Sequence, residues 1–330
     1  MTVPTAPPSK LTFTFPWRTL TRRQEFGIAL FLFALVIILS LRTDTFLTST
    51  NLFNVLRASS WIAIAAFGEA ITIIAGGIDL SVGSVMALAG LVTGLALRAG
   101  WGVPLSIGAG LATGMLAGLI NGVLISRGRL PSFIVTLGML SAARGVAFGL
   151  TSGEPVRDLP TDFVRLGQNN LALGRWEVPL PVIVMLTLAA FTWLVLSRTV
   201  FGGRIYALGS SETATWRAGI NVGRLKVIVY VLSGVLAAAG GVVMTARLGV
   251  AAPTAAGGYE LDIIAAAMVG GVSLLGGEGT MWGVLLGAVT MQVLRNGLVL
   301  LGLPTYWQVV AIGVVIIAAI ALDRWRASRA

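Results

Sequence analysis

The sequence predicts an all-α polytopic membrane protein of about ten transmembrane helices, broken near residues 76–84 and 270–279. Three observations predict it. Of the 330 residues 56% are hydrophobic and 11% charged, and the mean hydropathy is +0.91. A soluble domain of that composition could not cover its own exterior with polar groups. The apolar residues also gather into ten stretches, several near the ~20 residues that cross a bilayer. Finally, the basic residues between the stretches alternate in density from loop to loop, as membrane topology requires.

Residues 1–25 are polar, with Pro4, Pro7, Pro8, Lys10, Arg18, Arg22 and Arg23, and read as a cytoplasmic tail. The first apolar stretch, 26–41, lacks a small-residue cleavage site after it, so it reads as a membrane helix and not as a signal peptide. Others follow at 54–75, 83–99, 104–126, 132–150, 180–197, 227–247, 262–275, 281–301 and 305–322. The shorter ones are expected to be tilted, broken or partly inserted. Residues 26–323 thus form the membrane domain, with a loop at 198–226 and a tail at 324–330.

With the N-terminus inside, 14 of the 23 basic residues fall on the inner side, in the first tail, at Arg127 and Arg129, in 198–226 and in the last tail. Six fall in outer loops, and the longest of those, 151–179, carries four acids against three arginines. Both termini are therefore expected in the cytoplasm. The net charge of +10 does not point to nucleic acid, because the cations form no stripe with stacking aromatics. The chain has no cysteine and no histidine, so it lacks a thiolate metal site, the commonest zinc ligand and the commonest general base.

Several motifs stand out. Gly110, Gly114, Gly118 and Gly122 lie at i, i+4 spacing on the fourth stretch. One helix face is then bare backbone, suited to close packing with a neighbouring helix. In Ala75-Gly76-Gly77-Ile78-Asp79-Leu80-Ser81-Val82-Gly83-Ser84, two glycines break a helix, and Asp79 or Ser81 can cap the next one. Direct solute contact by Asp79 is the alternative, since an ionisable group at membrane depth faces protein or water. A second break, at 270–279, hints at two related halves. Glu69, Arg144 and Arg295 are further intramembrane charges, and snorkelling to an interface accounts for the arginines.

In the loop 198–226, Ser210 or Ser211 can cap a short helix running to Ala218, with Glu212 in its first turn and Gly219 ending it. Carrying Trp216, that helix suits a groove on a partner or, alternatively, the lipid headgroups.

Gly76–Ser84 resembles a signature of the ribose-type ABC sugar transporter permeases. So do Phe201-Gly-x-x-Ile-Tyr-Ala-Leu-Gly with the following Glu212-x-Ala214 and Gly219-Ile-Asn-Val222, and so do Gly258–Asp262 and Gly270–Gly279. The likeness spans about residues 26–323. It implies a permease that pairs with a second copy or paralogue in a bacterial inner membrane, docks on ABC ATPase subunits, and receives solute from an extracytoplasmic binding protein. It also implies that 211–219 is the coupling helix, through Ser211, Glu212, Ala214, Trp216 and Gly219. Thr213 stands where relatives often have Ala. Neither lysine of the chain, Lys10 or Lys226, follows a glycine and precedes Ser or Thr, so no P-loop is present. ATP and Mg²⁺ would be bound by the partner ATPase, and the chain itself is expected to be neither an enzyme nor a cofactor protein. The solute would be a ribose-like monosaccharide. Alternatives are a nucleoside, a furanose-like signalling molecule or, in another class, a secondary transporter.

Overall fold

The computed structural model describes residues 24–174 and 176–327; the first tail up to Arg23, with its four cations, lies outside them. Each of the ten apolar stretches holds a helix. These helices are α1 (Gln24–Arg42), α2 (Ser49–Ile74), α3 (Val82–Arg98), α4 (Val103–Ser126) and α5 (Ser132–Thr151), then α7 (Leu180–Arg198), α10 (Val222–Leu248), α11 (Tyr259–Val269), α12 (Met281–Leu300) and α13 (Thr305–Ala327). Seven helices among the described residues are long and apolar enough to cross a membrane; α3 and the apolar part of α13 are shorter, and α11 has only 11 residues. The chain is a multi-pass membrane protein.

Helix ends differ from the apolar boundaries for local reasons. Thr48 caps α2 by accepting the Asn51 amide, so the helix starts in a polar run five residues before the apolar one. Asn221 accepts the Arg224 amide and starts α10 early in the same way. α11 stops at Val269 because Gly271, at φ +86°, turns the chain out of the helix. α13 continues through Ala327, so most of the expected C-terminal tail is helical.

The loops hold structure that apolar patterning could not reveal. Residues 152–179 carry α6 (Thr161–Gln168) and a small antiparallel hairpin of β1 (Asn170–Leu173) and β2 (Trp176–Pro179), a loop feature added to an all-α membrane fold. Arg57 of α2 ties the hairpin down through the Gln168 carbonyl and the Asn170 Oδ1. Phe163 of α6 is buried, and Gly167 lies directly on the backbone of Arg247. The loop after α7 holds two helices, α8 (Val200–Ser210) and α9 (Glu212–Arg217).

The core is built on α2 and α10. Every residue of α2 from Ser59 to Ile74 is buried, and its Ala63, Ala65, Ala66, Gly68 and Ala70 let neighbours come close. A Cβ on Gly68 would sit 3.0 Å from the Ser233 backbone of α10. The glycine face of α4 lies on α10: Gly114 meets Gly234, Gly118 meets the Tyr230 carbonyl, and Gly122 meets the Val227 backbone. Gly110 meets Thr93 and Ala89 of α3. In lipid, where hydrophobic association is weak, such dispersion contact is what holds helices together. Apolar side chains point outward from α1, α4, α5 and α13, among them Phe33, Leu105, Ile134 and Ile317, and form the lipid-facing belt. α1 hangs on α12, where Leu39 fills the groove left by Gly297.

Candidate functional site: the loop helices and the two broken helices

α9 is closed at both ends by its own sequence. The Ser211 hydroxyl accepts the Ala214 amide at 3.2 Å, and Glu212 sits in the first turn. At the other end Gly219 takes φ +80°; its N–H donates to the Trp216 carbonyl and that of Ile220 to the Thr215 carbonyl. Thr215 faces inward and is buried, whereas Trp216 is 67% exposed. Lys226 Nζ donates to both oxygens of Glu212, at 2.7 and 2.8 Å, and fastens α9 to the N-terminal part of α10.

α8, whose residues Phe201–Gly209 the sequence offers as a motif but not as a helix, connects this surface helix to the membrane core. Thr199 caps it by accepting the Gly202 amide. Its Ile205 and Leu208 are buried, and the Tyr206 hydroxyl donates to the Gly279 carbonyl at 2.7 Å. Gly209 leaves no room for a side chain between the Ile74 carbonyl and the Gly277 amide. That same amide donates to the Ile74 carbonyl at 2.9 Å. The two helix breaks, far apart in sequence, are therefore bonded to each other and covered by α8.

Both breaks close alike. Gly76 donates to Ile73 and Gly77 to Thr72; Gly271 donates to Met268 and Val272 to Ala267. Gly76 and Gly271 have φ of +84° and +86°, which a residue with a Cβ adopts at a cost. The closing bonds and the left-handed glycine are what the two breaks share; Asp79 has no counterpart in the second.

Asp79 is 2% exposed and holds a polar node together. Its Oδ1 accepts from the Ser81 amide at 2.9 Å and from the Ser81 hydroxyl at 2.5 Å, and its Oδ2 accepts from Ser233 of α10 at 3.1 Å. Asn121 of α4 donates to the Ser81 hydroxyl, and the Asp79 amide donates to Glu69 of α2 at 3.2 Å. The structure corrects the expectation for Ser81. It stands at the N-cap of α3, but its side chain caps no α3 amide, because it is spent on Asp79. Gly83 lies against the Glu260 carboxylate, which a Cβ would displace.

The intramembrane arginines do not snorkel. Arg144 of α5 donates to the Pro253 and Ala255 carbonyls at 2.8 and 2.7 Å and pairs with Glu260 at 3.5 Å. Arg295 of α12 pairs with Asp262 at 2.6 Å and lies 5.0 Å from the Tyr259 ring centre. The run Gly258–Asp262 thus anchors the start of α11 to two other helices. Among the described residues no cluster of three or more His, Cys, Asp or Glu could hold a metal ion.

Comparison with known proteins agrees with this arrangement. The family model described as branched-chain amino acid transport system / permease component matches residues 51–320. The ribose import permease protein of Escherichia coli (strain K12) is 42% identical over 293 residues, which cover 88% of this chain and 91% of that protein. The D-allose transport system permease protein of the same strain is 38% identical over 316 residues, covering 92% and 95%. The fructose import permease protein of Rhizobium meliloti is 35% identical over 285 residues, covering 85% and 79%. No solved structure matches the chain. By these matches, and by the four motifs that build its helix breaks, loop helices and buried ion pairs, the chain belongs to the ribose-type permease family of ABC importers.

Proposed function

We propose that the chain is the pathway subunit of an ATP-driven sugar importer, with a ribose-like monosaccharide as its solute. It performs no covalent chemistry. A separate ABC ATPase binds ATP and Mg²⁺, a second permease copy or paralogue completes the pore, and an extracytoplasmic binding protein delivers the sugar. Both termini and 198–226 face the cytoplasm, in line with the arginine asymmetry. The observation that carries this reading is the seating of α8 on both helix breaks, with α9 and its exposed Trp216 presented on the far side. A push on α9 by a closing ATPase is transmitted through Tyr206 and Gly209 to the points where α2 and α11 end, where the chain can bend without interrupting a continuous helix.

Aromatic anchors in interface pockets commonly carry about 2 kcal/mol or more, so Trp216→Ala weakens ATPase docking. Gly219→Val places a β-branched residue at φ +80° and displaces the end of α9. Both variants are expected to insert normally, yet to lose co-purification with the ATPase and ATP-dependent uptake of radiolabelled ribose. Uptake that persists without the ATPase and collapses with the proton gradient would instead make the chain a secondary transporter. Competition by unlabelled allose, fructose and nucleosides identifies the solute.

A further inference from the structure

On the side of the molecule that carries α8 and α9, a cleft of about 810 Å³ opens between the first helix break, the 127–131 turn and the starts of α5 and α10. Its polar lining is one-sided. Arg129 forms no ion pair among the described residues, whereas Lys226 is neutralised by Glu212. α5, 20 residues long, begins in this lining without a side-chain cap, and the Ser132 and Phe133 amides of its first turn have no protein acceptor. Two hydroxyls complete the set. Tyr230 is 2% exposed and Ser126 is part-buried; both line the cleft, and neither oxygen has a hydrogen-bond partner. Ser132 lies beside the Tyr230 hydroxyl, but no hydrogen bond of sound geometry joins them.

A buried hydroxyl left without a partner is destabilising, so a cavity lined by such groups calls for a polar occupant. The groups that line the cleft leave a surplus of donors plus one positive charge: a guanidinium, two helix-terminal amides and two hydroxyls. Of the nearby carboxylates, Glu212 in the wall is engaged by Lys226, and Asp79 and Glu69, near Tyr230, accept from Ser81, Ser233 and the Asp79 amide. A neutral polyol would leave that charge unmatched. A tetrahedral anion with several acceptor oxygens matches it, since helix N-termini and arginine both favour such a group.

We propose that this cleft is a binding site for a phosphate-bearing anion, held by Arg129, the α5 N-terminus and the Tyr230 hydroxyl. Because Glu212 and Ser211 of the loop helices share its wall, occupancy biases the position of α9. The site is regulatory in this sense and is independent of which solute the permease carries.

The test uses the full-length protein in two preparations and reads thermal unfolding and anion binding. In detergent, inorganic phosphate is titrated against chloride at equal ionic strength. In nanodiscs, phosphatidylglycerol is compared with phosphatidylcholine. Arg129→Gln lies in an exposed turn and Tyr230→Phe keeps its volume, so both variants fold. Arg224→Gln, exposed and outside the cleft, is the control. Phosphate is expected to stabilise the wild type and the control, and to bind at least about tenfold more weakly to Arg129→Gln, the loss of one charge-assisted contact. An Arg129-dependent response to phosphate assigns a soluble phosphate compound, and one to phosphatidylglycerol alone assigns a lipid headgroup. Either supports the site. Equal responses of wild type and Arg129→Gln in both preparations overturn it, including the case in which the cleft only receives an acidic side chain of the ATPase.

Discussion

Asp79 illustrates what one buried side chain does in a membrane interior. Three donors converge on it: the Ser81 amide, the Ser81 hydroxyl and the Ser233 hydroxyl. An asparagine keeps one acceptor oxygen for Ser81 and offers its NH2 to Ser233, which can accept as readily as donate. Asp79→Asn is therefore expected to keep most thermal stability and most uptake. Asp79→Leu strands all three donors and is expected to cost about 3 kcal/mol or more, read as a loss of folded protein in a detergent melt. Equal loss in both variants would assign the role to the charge instead. Arg295 and Asp262 call for a different comparison. Removing the arginine alone leaves a carboxylate with 3% exposure unpaired, at a cost of about 3 kcal/mol. The double variant Arg295→Met with Asp262→Leu removes both charges and is expected to recover much of that loss, which a double-mutant cycle measures.

At the level of elements, glycine placement separates packing faces from lipid faces. Gly118 touches the Tyr230 carbonyl, and any side chain there forces α4 off α10. Gly118→Leu is expected to destabilise by several kcal/mol, on the order of the overpacking cost plus lost dispersion contact. Gly138 of α5 is exposed, with no atom within 4 Å of the position a Cβ would take. Gly138→Leu is expected to stay within about 1 kcal/mol of the parent or to gain slightly from helix propensity. Parallel thermal melts of the two variants decide the matter; similar melting temperatures would rule out the α4 face as a packing seam.

For the whole molecule, the decisive question is which end faces the cytoplasm. The α8–α9 pair and the two breaks share one end, while α6, the hairpin and the Val156–Ala251 bridge share the other. A cysteine at Thr213, exposed on α9, is expected to resist a membrane-impermeant thiol reagent in intact cells. A cysteine at Asp162, exposed on α6, is expected to react. The native chain has no cysteine, so the background is clean. Labelling of Thr213→Cys from outside would invert the orientation and remove the ATPase from α9.

Much of this protein is local and therefore legible in one dimension. Lipid fixes the length and composition of a crossing helix, so all ten stretches could be located without coordinates. Caps are equally local: Ser211 and Gly219 bound α9 because the hydroxyl and the left-handed glycine act within four residues. The family, too, was readable from contiguous motifs. What only the tertiary structure decided are the pairings between distant segments. Nothing near Ile74 in sequence announces that its carbonyl takes the Gly277 amide, or that Gly209 is small because both press on it. Arg144 and Arg295 looked like snorkelling side chains until Glu260 and Asp262 were brought beside them. α6, the hairpin and the helical state of α8 are not legible in the sequence because their stability comes from docking on α2, α10 and the breaks, and not from an apolar run of their own. Each of these is a contact across more than 30 residues, whose partner is chosen by packing geometry and not by the residues flanking it.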